Sequence, residues 1–195
     1  FVKFISYEPL VLYYQLPISI YSQMPNIFTL DCVVLSLGKT ESKMDNIMTC
    51  PISFNGLSLY KGDEVTVSGS GNTYTLTNYG DFPVGFEITI EGSLTNPYFT
   101  LEQDSELYGE AKFIDSTAFD SVYVDSIDGE QNVVLEQGGS VIANSLGYQD
   151  LSISNGSIYV TFVKLARGES TLTIGMDSGS ITSVSISFTP LYRSV

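Results

Sequence analysis

Two residue types that often carry out catalysis, histidine and cysteine, are missing or sparse in this sequence. The chain contains no histidine, so neither a Ser-His-Asp nor a Cys-His arrangement can form within it. Histidine is also the commonest general base near neutral pH. Cys32 and Cys50 are its two thiols, and without histidine they cannot complete a four-ligand zinc site. The residues therefore predict no catalytic site, no metal site and no cofactor, and we expect that the protein is not an enzyme.

Carboxylates are the remaining groups that could do chemistry. Ten of them lie between Glu102 and Glu136, with Lys112 as the only base in that stretch. Two paired carboxylates can hydrolyse a glycosidic bond, but such density brings some pair together by chance, and the chain has no tryptophan to hold a sugar. We interpret the stretch as solvated strand faces and turns, with a cation site or a repulsive surface as the alternatives. The segment DSIDGE at residues 125–130 lacks the spacing of an EF-hand loop and is interpreted as an acidic turn.

Aromatic residues offer a second kind of candidate site, a platform on which sugars could stack. The candidates lie in the C-terminal half of the chain: Tyr98, Phe99, Tyr108, Tyr123, Tyr148 and Tyr159. Their spacing within predicted strands favours packing over contact with a ligand. A carbohydrate-binding module that attaches to a host surface glycan is therefore kept as the alternative to a structural role.

Composition excludes several classes of partner. The formal net charge is −14, from 22 acidic and 8 basic residues, so phosphate backbones and anionic membrane surfaces would repel the chain. No uncharged apolar run is long enough to span a membrane as a helix. The first residues lack the three-part form of a signal peptide, and a start at Phe1 rather than Met suggests a fragment, a processed product or a missing start. Cys32 and Cys50 could form a disulfide or remain buried thiols.

Alternation of polar and apolar residues dominates the sequence. It occurs in strand-favouring segments at residues 73–77, 86–91, 121–126, 159–164, 171–174 and 183–188. Turn residues separate these segments, and Asn55-Gly56 is the strongest local prediction, a tight hairpin turn. Further turns are predicted at residues 61–63, 69–72, 128–129, 138–139, 155–156 and 178–179. The pattern predicts an all-β chain with an antiparallel β-sandwich.

Two regions are expected. A mostly-β N-terminal region covers residues 1–78 and a sandwich covers residues 79–195, with the seam at residues 77–84, where TNYGDFPV interrupts the strand pattern. Residues 39–48 predict either a short helix or an irregular connection. The apolar, proline-bearing segment at residues 10–20 is a candidate for subunit contact, with an ordinary core strand as the alternative.

From about Thr73 onward the sequence resembles the tail-component family of long-tailed bacteriophages, of which the distal tail protein is the best-known member. The resemblance rests on three segments: TYTLTNYGDFPVGFEITIEGSLTNPYFTL, FDSVYVDSIDGEQNVVL and VKLARGESTLTI. The matching positions are Asn78, Gly80, Pro83, Ile88, Ile90, Gly92, Asp125, Ser126, Leu165, Gly168, Glu169, Leu172 and Ile174, and Ser170 stands where the family commonly has Asn. The closing segment SVSISFTPLYRSV, with Phe188, Tyr192 and Arg193, is similar to the aromatic and basic ending of many members.

The resemblance implies a structural protein of the virion tail tip or baseplate, made in the cytoplasm of the bacterial host. In the better-known members, six copies form a ring between the tail tube and the tip, and a galectin-like sandwich lies outside it. It thus implies a homo-oligomer whose partners are the tail tube, tip or receptor-binding proteins. It implies no sugar site, because the histidine and tryptophan that galectins use are absent. Residues 1–72 show no clear pattern of a ring-forming belt domain.

Overall fold

Strands account for all regular secondary structure in the part of the chain that the structure describes. A computed structural model describes the backbone at residues 10–15, 27–37, 40–41, 48–49, 52–56, 59–146 and 156–193, and side chains at residues 59–143 and 156–193. In chain order the strands are β1 Leu10–Gln15, β2 Ile27–Leu37, β3 Thr40–Glu41, β4 Met48–Thr49, β5 Ile52–Gly56, β6 Tyr60–Lys61, β7 Val65–Gly69, β8 Thr73–Asn78, β9 Glu87–Thr95, β10 Tyr98–Gln103, β11 Glu106–Ile114, β12 Phe119–Asp125, β13 Asn132–Gln137, β14 Ser140–Leu146, β15 Ser157–Val160, β16 Gly168–Gly175, β17 Ser178–Phe188 and β18 Leu191–Tyr192. The predicted all-β class is confirmed.

The strands divide into two compact units. One comprises residues 64–190, and the other comprises residues 1–63 together with residues 191–195. The predicted boundary after residue 78 lies inside the larger unit, because β7 pairs with β17 and β8 pairs with β16. Gly80 and Pro83 interrupt the alternation at residues 77–84 since the chain there leaves one sheet for another, and not because a domain ends.

In the smaller unit, one sheet has the strand order β1-β2-β6-β18, and β5 also pairs with β2. Asn55 and Gly56 lie in β5, opposite Val33 and Cys32 of β2. The predicted hairpin turn at these two residues is therefore wrong: Asn-Gly permits a tight turn, but here pairing with β2 keeps the backbone extended.

A second, two-stranded sheet pairs β3 with β4, with Thr40 opposite Thr49. The helix considered for residues 39–48 is thus wrong at both ends of that segment, and residues 42–47 lie outside the described part. The question of a Cys32–Cys50 disulfide and the side-chain contacts proposed for residues 10–20 also lie outside the described residues.

The larger unit is an antiparallel sandwich of two sheets. The five-stranded sheet has the order β15-β11-β10-β16-β8, and the six-stranded sheet has the order β14-β13-β12-β9-β17-β7. Their inner faces supply the core because alternate residues point inward. In β8, for example, Tyr74 and Leu76 are buried while Thr73 and Thr75 are exposed.

Aromatic residues form the centre of this core. The largest fully buried side chains include Phe86, Phe99, Phe113, Phe119 and Phe188. The rings of Phe86 and Phe99 meet edge to face, with centroids 6.4 Å apart and planes at 67°, an arrangement that aromatic pairs favour.

The structure confirms some of the predicted turns and not others. Residues 128–129 and 138–139 close the β12–β13 and β13–β14 hairpins, and Gly138 and Gly139 have φ values of 57° and 73°, as a tight hairpin requires. These two predictions are confirmed. Residues 69–72 also form a turn, but not a hairpin, because the flanking strands β7 and β8 belong to different sheets. Ser178 and Gly179 lie within β17, and Asn155 lies outside the described residues.

Candidate binding surface

A row of side chains crosses the outer face of the five-stranded sheet. The register places Tyr159 of β15 opposite Lys112 of β11, Lys112 opposite Tyr98 of β10, and Tyr98 opposite Gly175 of β16. Directly opposed residues point to the same face, and the buried neighbours Phe99, Ala111 and Val160 fix that face as the outer one. We call Tyr98, Lys112 and Tyr159 the Tyr–Lys–Tyr row.

Both tyrosines of this row are exposed. The exposed fraction is 56% for Tyr159 and 38% for Tyr98, large values for side chains that a core would normally cover. The row spans three neighbouring strands, or about 10 Å at the usual spacing between strands. It therefore offers two aromatic surfaces to a ligand that lies across the strands.

Gly175 determines where the Tyr98 ring lies. A Cβ atom at Gly175 would be 2.2 Å from Cζ and 2.3 Å from Oη of Tyr98, so the tyrosine side chain occupies the space that any other residue would fill. The contact removes part of the ring from water and restricts its rotamers. Tyr98 is thus positioned by a packing contact across the strands.

Lys112 is the unpaired cation of the sandwich as far as its residues are described. Lys164 is bound to Asp128, and Arg167 lies 3.5 Å from Asp81. Lys112 has no such ion pair among the described residues, although the chain carries a large excess of carboxylates. Its ammonium group therefore remains available to an anion between the two tyrosines.

Polar side chains continue the outer face beside the row. Thr100 of β10 lies opposite Glu110 of β11 and Thr173 of β16, and Thr173 lies opposite Thr73 of β8. Ile114, which follows Lys112 on the same face, is 39% exposed. Hydroxyl groups and the exposed carboxylate of Glu110 therefore border one side of the row, and an apolar side chain borders the other.

The other predicted platform residues do not join this row. Phe99 is buried in the core. Tyr108 is half-buried, and its hydroxyl accepts a hydrogen bond from the backbone N–H of Ala166 at 3.1 Å. Tyr123 lies on the other sheet, and Tyr148 lies outside the described residues. Of the six candidates, the structure brings together Tyr98 and Tyr159.

The outer face of the six-stranded sheet is built differently. There the hydroxyls of Tyr123 and Ser187 donate hydrogen bonds to the two oxygens of Glu87, at 2.7 and 3.0 Å, and Ser183 donates to Glu91 at 2.5 Å. Burial, followed by the hydrogen bond to Glu87, raises the pKa of Tyr123. The hydroxyl therefore stays protonated and acts as a fixed donor.

The acidic segment at residues 125–130 forms a turn, as predicted. The carboxylate of Asp125 accepts a hydrogen bond from the backbone N–H of Ile127 at 2.7 Å, and the Ser126 hydroxyl accepts one from the N–H of Phe86 at 2.9 Å. Burial raises the pKa of Asp125, and the charges of Glu87 and Glu130 raise it further. The carboxyl group is thus used for local structure.

Asn78 supports the other turn that the sequence resemblance singled out. Its buried amide donates to the carbonyl oxygens of Phe82 and Leu165, at 2.9 and 3.0 Å, and its side-chain oxygen accepts from the N–H of Gly80. Val84 and Leu165 exchange two backbone hydrogen bonds beside it. One side chain therefore fixes residues 78–84 against the loop that precedes β16.

Metal sites and membrane-spanning helices are two further features to consider in the part of the chain that the structure describes. No group of three or more cysteine or acidic side chains there is arranged to hold a metal ion. None of the described residues forms a helix with the length and apolar character needed to cross a membrane.

Sequence reasoning found the members of the Tyr–Lys–Tyr row but not their juxtaposition. Lys112 stood out as an isolated base, and Tyr98 and Tyr159 were two of six platform candidates. The signal that joins them is strand register, which depends on long-range pairing. Gly175 carried no recognisable signal, because its role depends on the ring of a residue in a neighbouring strand.

Comparison with known proteins gives few similarities. No family model matches the sequence, and no curated protein matches it. A chain in the structure of the phage P2 baseplate in its activated conformation with Ca is similar, with a TM-score of 0.48 and 10% identity over 96% of this chain and 70% of that chain. The corresponding structure with Sr gives a TM-score of 0.47 and 9% identity over the same shares. At these values the similarity carries no information on function.

Proposed function

We propose that this chain is a structural component of the tail tip or baseplate of a long-tailed bacteriophage, in the manner of a distal tail protein. The supporting observation is the structural role of the residues that carry the sequence resemblance. Asn78, Asp125 and Ser126 are buried, and their side chains hold backbone turns. Most of the apolar matching positions are core residues, namely Ile88, Ile90, Leu165, Leu172, Ile174 and Phe188. The resemblance thus concerns a scaffold, as expected of a protein that acts by its shape.

The mechanism in this proposal is geometric. The sandwich acts as a module in a homo-oligomer, a ring of six copies if it follows the better-known members, and it docks other tail proteins. Edge strands are suited to such contacts because their outer backbone groups can pair with another chain. In the described part of the sandwich, β14 is one of the two edge strands of the six-stranded sheet, and it exposes Val141 and Ile142, by 54% and 38%.

The absence of charge also permits contact between copies at this edge. The net charge of −14 makes two copies repel one another on average, whereas β14 reads SVIANSL and carries no charge. Two uncharged edges can approach without placing like charges opposite each other. We assign β14 to the interface of the proposed oligomer.

Sedimentation velocity over a series of concentrations tests this proposal. We expect the full chain to self-associate and Val141→Lys to shift it towards monomer, because a lysine on an edge strand opposes pairing. Leu107→Lys is the matched control, since Leu107 is 55% exposed and lies on the interior strand β11. A chain that stays monomeric at the highest concentrations would contradict the oligomeric mechanism.

A further inference from the structure

We propose that the Tyr–Lys–Tyr row is a binding site for an acidic oligosaccharide that lies across strands β15, β11, β10 and β16. This site does not depend on a place in a phage tail, because it rests on the register and exposure of residues within the sandwich. The predicted ligand is a short chain of sugar rings that carry carboxylate groups.

Two exposed tyrosines in line favour a saccharide. The rings of Tyr98 and Tyr159 offer flat apolar surfaces with a polar hydroxyl at the end, and a pyranose ring presents a flat face of C–H groups to such a surface. Their strands are two positions apart in the sheet, about 10 Å at the usual strand spacing. Two rings of one extended oligosaccharide, separated by a third, can therefore contact both tyrosines.

Lys112 selects for acidic sugars. It lies between the two tyrosines in the register and has no ion pair among the described residues. An ammonium group binds a carboxylate through charge-assisted hydrogen bonds, which are stronger than those to a neutral hydroxyl. The cation therefore adds charge complementarity to the stacking surfaces on either side of it.

The site is partly organised before any ligand binds. The space left by Gly175 holds the Tyr98 ring in place, so that ring loses little conformational freedom when a sugar covers it. The bordering hydroxyls of Thr100 and Thr173 can donate to and accept from sugar hydroxyls. Most of the row belongs to interior strands of the sheet, which hold a site more precisely than loops do.

Isothermal titration of the full chain with tetragalacturonate, at a salt concentration that screens the net charge of the chain, tests the proposal. We expect saturable binding of tetragalacturonate, because Lys112 contacts a carboxylate directly, and a weaker affinity for the neutral maltotetraose. Tyr98→Ala and Tyr159→Ala should each weaken binding about tenfold. Tyr79→Ala is the matched control, because Tyr79 is 40% exposed and lies outside the row, and its affinity should not change.

Two further variants separate charge from ring position. Lys112→Gln should reduce the affinity for tetragalacturonate to that for maltotetraose, whereas Lys164→Gln should leave it unchanged. Gly175→Ala should weaken binding although every row residue is retained, because its methyl group displaces the Tyr98 ring. Circular dichroism of each variant verifies that the fold is retained.

Three results would overturn the site. One is the absence of any binding to tetragalacturonate by the folded chain when its net charge is screened. Another is an equal loss of affinity in Tyr79→Ala and Tyr159→Ala. The third is tighter binding of a glutamate peptide of matched charge that competes with the sugar, which would identify the row as a contact for an acidic protein segment.

Discussion

The two outer faces of the sandwich arise from the same alternating pattern. They differ in whether their charged side chains bind partners within the chain. On the six-stranded sheet, Glu87 and Glu91 accept hydrogen bonds from hydroxyls of neighbouring strands. On the five-stranded sheet, Lys112 lies between two exposed tyrosines and has no ion pair among the described residues. On the first face these two carboxylates have hydrogen-bond partners within the chain. On the second face, Lys112 can still bind an anionic group of a ligand.

The difference shows what alternation does and does not determine. Alternation assigns each residue to the core or to an outer face, but the partner of an outer residue is set by the strand that pairs beside it. Glu87 lies opposite Asp125 and Ser187, whereas Lys112 lies opposite Tyr98 and Tyr159. The identity of the cross-strand neighbour therefore separates a structural face from a binding face.

Glycine substitutions should give the largest contrast between the two sheets. Gly179 of β17 has a φ of 112°, and a Cβ there would be 1.7 Å from the backbone oxygen of Ser93. Gly179→Ala should therefore lower the free energy of unfolding by at least about 2 kcal/mol. Gly175→Ala should cost less than about 1.5 kcal/mol, because it meets only the end of a tyrosine side chain. Urea denaturation measures both, and equal losses would contradict this contrast.

Removing an acceptor should have a smaller effect that is specific to the six-stranded sheet. Glu87→Ala leaves the hydroxyls of Tyr123 and Ser187 without their acceptor, which should cost about 1–2 kcal/mol. Lys112→Ala should change stability by no more than about 0.5 kcal/mol. A double-mutant cycle with Tyr123→Phe isolates the Glu87–Tyr123 interaction. Strict additivity in that cycle would show that the hydrogen bond does not stabilise the fold.

Asp125 should give the sandwich a recognisable dependence on pH. Because its pKa is raised by burial, the folded protein binds a proton more readily than the unfolded chain just above the ordinary pKa of aspartate. The free energy of unfolding therefore falls as the pH rises through the raised pKa. Asp125→Asn removes this contribution and keeps an acceptor for the N–H of Ile127.

Denaturation of Asp125→Asn and the unmodified chain, from acidic to neutral pH, measures this contribution by difference. The variant should become more stable relative to the unmodified chain as the pH rises through that interval. Asp120→Asn is the control, because Asp120 is exposed on β12. A stability difference that is constant with pH, or that changes in the opposite direction, would argue against a raised pKa.

The smallest change in stability should come from Tyr159. It lies on an edge strand and is more than half exposed, so Tyr159→Ala should change the free energy of unfolding by no more than about 0.5 kcal/mol. The same variant should lose about tenfold in affinity for tetragalacturonate. A thermal melt alongside the titration separates the two effects, and a large loss of stability would make Tyr159 a packing residue.

Much of the sandwich was predictable from local pattern. Segments such as residues 73–77 and 183–188 alternate strictly, and both became strands with the expected buried faces. The turns at residues 128–129 and 138–139 were also predictable, since their glycines permit the backbone that a hairpin needs. The local sequence was therefore sufficient to predict the structure where a strand paired with its neighbour in sequence.

Long-range pairing was not predictable from the same patterns. Asn55-Gly56 has the composition of a turn, but β5 pairs with β2 through both residues. Residues 69–72 have the composition of a hairpin turn, but they connect the two sheets. The Tyr–Lys–Tyr row was hidden for the same reason, because a shift of one residue in the register of β15 would turn Tyr159 to the other face.

The central claim is that the chain is a component of a phage tail, and its location in virus particles tests that claim most directly. Gold-labelled antibodies raised against the chain can be applied to intact tailed particles from the source and viewed by electron microscopy. The proposed function predicts label at the distal end of the tail, close to the tip or baseplate. Particles that carry no label, while the free protein is detected in the same lysate, would contradict it.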